Sequence, residues 1–283
     1  MPSLQGLRRK IVSIKNTQKI TKAMKMVAAA KLKRAQERIL AARPYAKKMA
    51  VVLGSLASRA NRQAHPLLRK SAGNRIELLV VTSDRGLCGA FNTNILRKAV
   101  EFLRLKQEAG CTVTASVVGR KGRDFFRRRP WTRRQEWVGV FDRLSYEHAL
   151  DIGGDIVQQF TSGTFDELHI VYNEFKSVIQ QRVVVEKLLP IESFDQEAQK
   201  LGGGYLFEPD EEGLLKVLLP KHIEVQTFHA LMESAAAELG ARMAAMDGAT
   251  RNAGELINKM TLYYNKTRQD RKSVCRERVY VLV

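Results

Sequence analysis

The chain has 283 residues and carries 48 Lys and Arg against 29 Asp and Glu, a formal net charge of +19. Its hydrophobic content of 45% is ordinary for a globular protein of one large or two small domains. No stretch approaches the roughly 18 apolar residues of a membrane-spanning helix, and Cys88, Cys111 and Cys275 are too scattered for a zinc cluster or a CxxC pair, which implies a reducing compartment.

The first block runs from about 2 to 58. Leu4, Leu7, Ile11 and Ile14 recur at the spacing of a coiled-coil seam. Gln18 and Thr21 interrupt it before Met24, Ala28, Ala35 and Ile39 resume it. Ile14 to Gln36 holds no Pro, no Gly and no acid, so it predicts one unbroken basic helix. Residues 1–50 set fourteen Lys and Arg against the single acid Glu37. A helix of about 55 residues spans ~80 Å, with Pro44 as a kink point. Charge follows Met1–Leu4 at once, leaving no apolar signal region.

The second block, 74–189, alternates strand and helix. Ile76–Thr82 is an apolar β-like run, followed by the turn-rich Ser83-Asp-Arg-Gly-Leu-Cys-Gly89 and a helical pattern through Leu103. Thr112–Val118, Leu168–Tyr172 and Arg182–Leu188 read as strands and Ser145–Phe160 as a helix. That order predicts a small α/β domain with a largely parallel sheet.

The third block, 208–283, follows the loop Gly202–Gly204 and the turn Glu208-Pro-Asp210. Phe228, Met232, Ala235, Leu239, Met243, Met246, Ala249, Ala253, Leu256, Met260 and Tyr264 make a second seam, rich in Ala and Met. Gly240, Gly248 and Gly254 each weaken that helix by about 0.5–1 kcal/mol relative to Ala, so packing must sustain it. The two seams are most simply buried against each other. The predicted fold class is therefore α/β: a long antiparallel two-helix coiled coil formed by the terminal helices, with a Rossmann-like α/β domain inserted between them.

Little in the chain suggests catalysis. There is no GxxxxGK[ST] phosphate loop. The Ser83–Gly89 loop could cradle an anion at a helix start, but it lacks GxGxxG and reads better as a structural turn. The five histidines are scattered, and His169, inside an apolar strand, reads as a core residue. Cys88 reads as a small buried hydrophobe rather than an activated thiol. Arg120–Arg134 interleaves eight basic residues with Phe125, Phe126 and Trp131, a mixture that suits phosphates, acidic proteins or lipid heads alike.

Three motifs break that tie: Ile14-Lys-Asn-Thr-Gln-Lys-Ile-Thr-Lys-Ala-Met-Lys-Met-Val-Ala28; Ser83-Asp-Arg-Gly-Leu-Cys-Gly-Ala-Phe-Asn92; and Ala241-Arg-Met-Ala-Ala-Met246 with Ala249-Thr-Arg-Asn-Ala253 and Tyr264-Asn-Lys-Thr-Arg-Gln269. In order and spacing, over residues 2–269, the chain resembles the gamma subunit of the bacterial F-type ATP synthase, the central rotor shaft. The resemblance implies a non-catalytic rotor with no cofactor and no metal. It implies alpha and beta subunits as partners, three of each, with epsilon and the c-ring at the foot and delta only indirectly. It implies no nucleic acid, and membrane association only through the complex, at the cytoplasmic face of the bacterial inner membrane.

Residue by residue, Lys22, Met24 and Lys25 match the region that faces an acidic loop of beta. Arg268 and Gln269 match positions that meet a catch loop of beta. Arg242 and Thr250 lie on the same shaft helix, and Arg120, Lys121 and Arg123 fall in the foot expected to meet epsilon or the c-ring. Exposed ion pairs, typically ~0–1 kcal/mol, suit a sliding interface. One departure is the end: Asp270–Val283 is charged and then β-branched, where the family is apolar and Ala-rich. A second is the cysteine-free stretch 190–209, which carries no thiol switch of the plastid kind. Rival readings are a nucleic-acid-binding basic coiled coil and a stand-alone nucleotide enzyme. The first lacks any recognition motif, and the second lacks a phosphate loop.

Overall fold

The computed structural model describes residues 3–59, 65–69, 73–178, 180–191 and 210–280. The glycine loop 202–204 and most of the turn before Asp210 lie outside them, as do the last three residues.

Two helices dominate. Helix α1 (Leu4–Arg59) has 56 residues and passes through Pro44 without ending there. The last helix, called α5 below (Glu211–Tyr280), has 70 residues and contains Pro220. They run antiparallel: Gln18 Nε2 donates to the Thr250 carbonyl at 3.3 Å, and Lys25 pairs with Asp247 at 2.5 Å. Leu7, Ala28, Leu32 and Ile39 are buried on one side, Met232, Ala236, Met246 and Ala253 on the other. The outer face of α1 keeps Ile20, Met26, Val27 and Leu40 exposed.

The seam departs from its predicted course at Leu256, which is 46% exposed. Ala253 is buried there instead, and a Cβ on Gly254 would come 3.0 Å from the Gln18 amide, so the small residues take the contact with α1. Running the Gln18–Thr250 register back to Leu4 brings the start of α1 level with about Tyr264. The last stretch of α5 therefore extends beyond its partner.

Between the helices lies a five-stranded sheet in the order β3-β2-β1-β4-β5. It comprises β1 (Arg75–Val81), β2 (Thr112–Val118), β3 (Thr132–Trp137), β4 (Glu167–Phe175) and β5 (Gln181–Leu189). All pairings are parallel except β4 with β5. Helices α2 (Phe91–Glu108) and α3 (Arg120–Phe126) cover one face, and α4 (Tyr146–Thr161) the other. β1 is buried from Ile76 to Val81 because both of its faces are covered, which is why it reads as a continuous apolar run. On the α4 side Ile152 and Ile156 share a core with Leu79 and Ile170, and with Leu53 and Leu56 of α1 and Leu215 and Leu219 of α5. The α/β domain and the foot of the shaft thus share one core.

The basic run Arg120–Arg134 holds two elements, α3 and the edge strand β3, that its charge concealed. Arg134 is not a solvated charge. It bonds both carboxylate oxygens of fully buried Glu77, at 2.8 and 2.9 Å, and reaches Asp155 at 2.6 Å. Ser116 also donates to Glu77. A buried carboxylate needs such partners to remain charged.

Candidate functional site

Among the described residues, the motif residues gather in the shaft and in the loop beside it. Thr21 and Thr250 place their hydroxyls 2.8 Å apart across the seam. One turn along, Lys25 pairs with Asp247, while Lys22 is exposed and Met24 half-buried. Lys15, Lys19, Lys31, Lys33 and Arg34 are also exposed, so the solvent-facing surface of α1 is basic, with Lys15 and Lys19 bordering the groove against α5. Arg268 and Gln269 are exposed near the level at which α1 begins.

The second motif forms the loop at the carboxyl end of β1. Asp84 is buried, and its carboxylate accepts the backbone N–H of Arg120 at 3.0 Å, of Gly139 at 2.9 Å and of Phe141 at 3.2 Å. The carboxylate of this loop thus acts as an anion itself, tying the loop to the start of α3 and to the turn after β3. Asn92 accepts the Ser83 N–H at 3.0 Å and closes the turn. Gly122 N–H donates to the Thr82 hydroxyl at 2.8 Å. A Cβ on Gly119, whose φ is +94°, would strike the Thr82 carbonyl. Burial, and then the carboxylate of Glu238, push the Cys88 thiol up from its ordinary value, which makes it inert.

Arg242 ties this loop to the shaft. Its guanidinium donates to the Gly86 carbonyl at 3.1 Å and to Glu238 at 2.5 Å. Lower on the same helix, Glu233 accepts the Phe175 N–H at 3.0 Å. Sequence reading missed Glu233, Glu238 and Asp247. Their signal was present as acids set among the alanines of an otherwise apolar seam.

Arg120, Lys121 and Arg123 sit on α3, at the carboxyl end of the sheet. Leu215 and Leu219 of α5 share a core with Leu168 and Leu189 at the opposite edge, and residues 233–242 reach the carboxyl ends. The carboxyl end is therefore the one from which the shaft rises, and these three basic residues lie on that side of the domain. His169, held by Glu167 at 3.1 Å and tilted against the Phe102 ring, is a partly buried packing residue with its pKa lowered by burial. A groove of about 550 Å³ between α1, α4 and α5, lined by Ala42, Tyr45, Ala46, Val225, Phe228 and Met232, is apolar. Among the described residues no group of three His, Cys, Asp or Glu is placed to hold a metal. No described helix is long and apolar enough to cross a membrane.

A long paired-helix shaft, clasped at one end by a small doubly wound domain, defines a stalk protein. The chain belongs to the ATP synthase gamma-chain family. The family model for ATP synthase matches residues 3–272. The chain is 47% identical to the ATP synthase gamma chain of Geobacter sp. (strain M21) over 269 residues, covering 95% of this chain and 93% of that one. It is 47% identical over 272 residues to the gamma chain of Anaeromyxobacter sp. (strain Fw109-5), covering 95% and 94%. Among solved structures it resembles a chain of the central stalk and c-ring of Tetrahymena thermophila mitochondrial ATP synthase, with a TM-score of 0.62 at 28% identity, covering 81% of this chain and 99% of that one. A chain of the Euglena gracilis mitochondrial enzyme shares the fold, with a TM-score of 0.69 at 22% identity, covering 98% and 92%.

Proposed function

We propose that this chain is the non-catalytic rotor of a bacterial ATP synthase, turning inside a ring of three alpha and three beta subunits and coupling ion flow through a c-ring to ATP chemistry on beta. The observation that carries the reading is the basic solvent-exposed surface of α1, set on a shaft whose Thr21, Thr250 and Lys25 are paired across the seam. Such a face attracts acidic surfaces around a ring through weak, exposed contacts that can be exchanged as the shaft turns. Its orientation biases which conformation each beta subunit populates.

In this reading Lys22, Met24 and Lys25 face the acidic loop of beta. Arg268 and Gln269 meet its catch loop. Arg242 and Thr250 serve the shaft from within, since both are bonded inside the chain. Arg120, Lys121 and Arg123, on the shaft side of the α/β domain, suit an acidic face of epsilon beside the shaft better than a ring beneath it. The domains are the shaft helix 1–58, the α/β domain 74–189 and the shaft helix 208–283. The assembled protein is peripheral, at the cytoplasmic face of the inner membrane.

Co-expression with the cognate alpha and beta subunits tests this. The expected result is a complex with one copy of this chain per ring that hydrolyses magnesium-ATP. Failure to assemble, both with this C-terminus and with one of the usual Ala-rich kind, sinks the proposal.

A further inference from the structure

In an open α/β sheet, ligands sit outside the carboxyl ends of the strands, where the strand order reverses. Here the reversal falls between β1 and β4. That crevice is filled by the chain itself. Ala237 and Ala241 of α5 are buried in the core that holds Cys88, Phe91 and Val171. Glu233 accepts the Phe175 N–H at the end of β4, and Arg242 donates to the Gly86 carbonyl in the loop after β1. Gly240 lies between: a Cβ there would come 3.1 Å from the Phe175 ring and 3.6 Å from Val178. A glycine that weakens a helix interior thus stands where the β4–β5 hairpin leans on the helix.

The chemistry of the contact is informative. Apolar packing alone lets a helix slide or rotate against its seat. Here Glu233 and Glu238 are buried carboxylates, 5% and 6% exposed; buried charge is weak evidence for stability, and fixing register is its best-attested use. Glu233 accepts a backbone N–H at the end of β4, and Glu238 holds Arg242, whose guanidinium donates to the Gly86 carbonyl in the loop after β1.

We infer that residues 233–242 of α5 form a register clasp: the ligand crevice of the α/β domain has become a socket for the shaft. Glu233, Glu238 and Arg242 are positioning residues that make the domain and the shaft turn as one body. The inference rests on the rotor reading above. Torque generated at the shaft reaches the foot through this joint, so a loose clasp dissipates it between hydrolysis and pumping.

The test uses the complete enzyme in sealed membrane vesicles, comparing the wild type with Glu233→Ala, which removes the acceptor of the Phe175 N–H, and with Glu233→Ala/Glu238→Ala. ATP hydrolysis is expected to persist while ATP-driven ion pumping per ATP falls. Hydrogen exchange in the peptides holding Phe175 and residues 83–89 is expected to rise by roughly tenfold for each bond lost. A second pair of variants supplies the converse. A Cβ at position 89 would lie 3.7 Å from the Ala245 Cβ, within the disulfide span of about 3.5–4.5 Å, so Gly89→Cys/Ala245→Cys can be closed by oxidation. Oxidation is expected to restore pumping in the clasp variant, and reductant to remove it again. Normal pumping and exchange in the clasp variants, or a defect the crosslink does not repair, would overturn the clasp. Failure to assemble, with this C-terminus and with the Ala-rich one alike, would instead overturn the rotor reading. Should the double variant not assemble, Glu233→Ala alone carries the exchange measurement.

Discussion

The hydroxyls of Thr21 and Thr250 meet 2.8 Å apart in the middle of the shaft, and each also lies within reach of a carbonyl on its own helix, Gln18 at 3.1 Å and Met246 at 2.7 Å. Two hydroxyl protons serve three contacts, so one hydroxyl must donate across the seam while the other bonds at home. This pair interrupts the apolar seam and fixes the axial register of the two helices. A double-mutant cycle of Thr21→Val and Thr250→Val is expected to show a coupling of about 0.5–1.5 kcal/mol in denaturant unfolding of the assembled protein. Additive effects would mean that the two hydroxyls do not act together.

Lys25 is held by Asp247, so part of its charge is spent inside the shaft. The cation lowers the pKa of that carboxyl through their hydrogen bond. Asp247→Asn frees Lys25 to face the ring. In the rotor reading, turnover of the assembled ATPase should fall at low salt and recover as salt screens the added attraction. A salt-independent change would place the effect elsewhere.

His222 gives a pH signature. Burial pushes its pKa down to about 4. In the unfolded chain it binds a proton near pH 6.5, and in the folded chain only near 4, so the unfolded state holds more protons in that window. Stability therefore falls as pH drops from about 6.5 towards 4, by at most about 1.4 kcal/mol per pH unit from this residue. His222→Gln should flatten that part of the unfolding profile.

Ala236 is fully buried in the seam, in one cluster with Leu32, Ile39 and Met232. Ala236→Leu inserts a branched chain where the two backbones approach closely. The expected cost is about 1–3 kcal/mol, read as a lower unfolding midpoint of the complex. Ala235→Leu, at a less buried neighbour, serves as the control.

Cys88 is buried with its thiol pKa raised, whereas Cys111 is partly exposed. Mass spectrometry after a short native alkylation should find Cys111 labelled first and Cys88 only after denaturation.

The long elements were legible because their patterns are long. The seam of α1 and the continuous apolar run of β1 each point to one burial geometry. β2 was read to its boundaries, Thr112–Val118. What stayed hidden was whatever depended on a distant partner. β3 was masked because Arg133 and Arg134 read as solvent-facing charge, and only Glu77, from another strand, explains why Arg134 is half-buried. Gly240 and Gly254 read as helix weaknesses until Phe175 and Gln18 were seen to occupy the space a methyl would need. The loop at Ser83–Gly89 was recognisable as a motif. That Asp84 within it is itself the anion, held by amides more than thirty residues away, was not.

The overhang of α5 past α1 gives the molecule a taper. Beyond about Tyr264 some sixteen residues, or ~24 Å of helix, stand alone, with a diameter of about 10–12 Å against the doubled width of the pair below. At the opposite end the α/β domain is far too broad to follow through any opening the pair itself fills. A closed collar of subunits can therefore be threaded onto this protein from one direction only, narrow end first, and the domain acts as the stop that ends the travel.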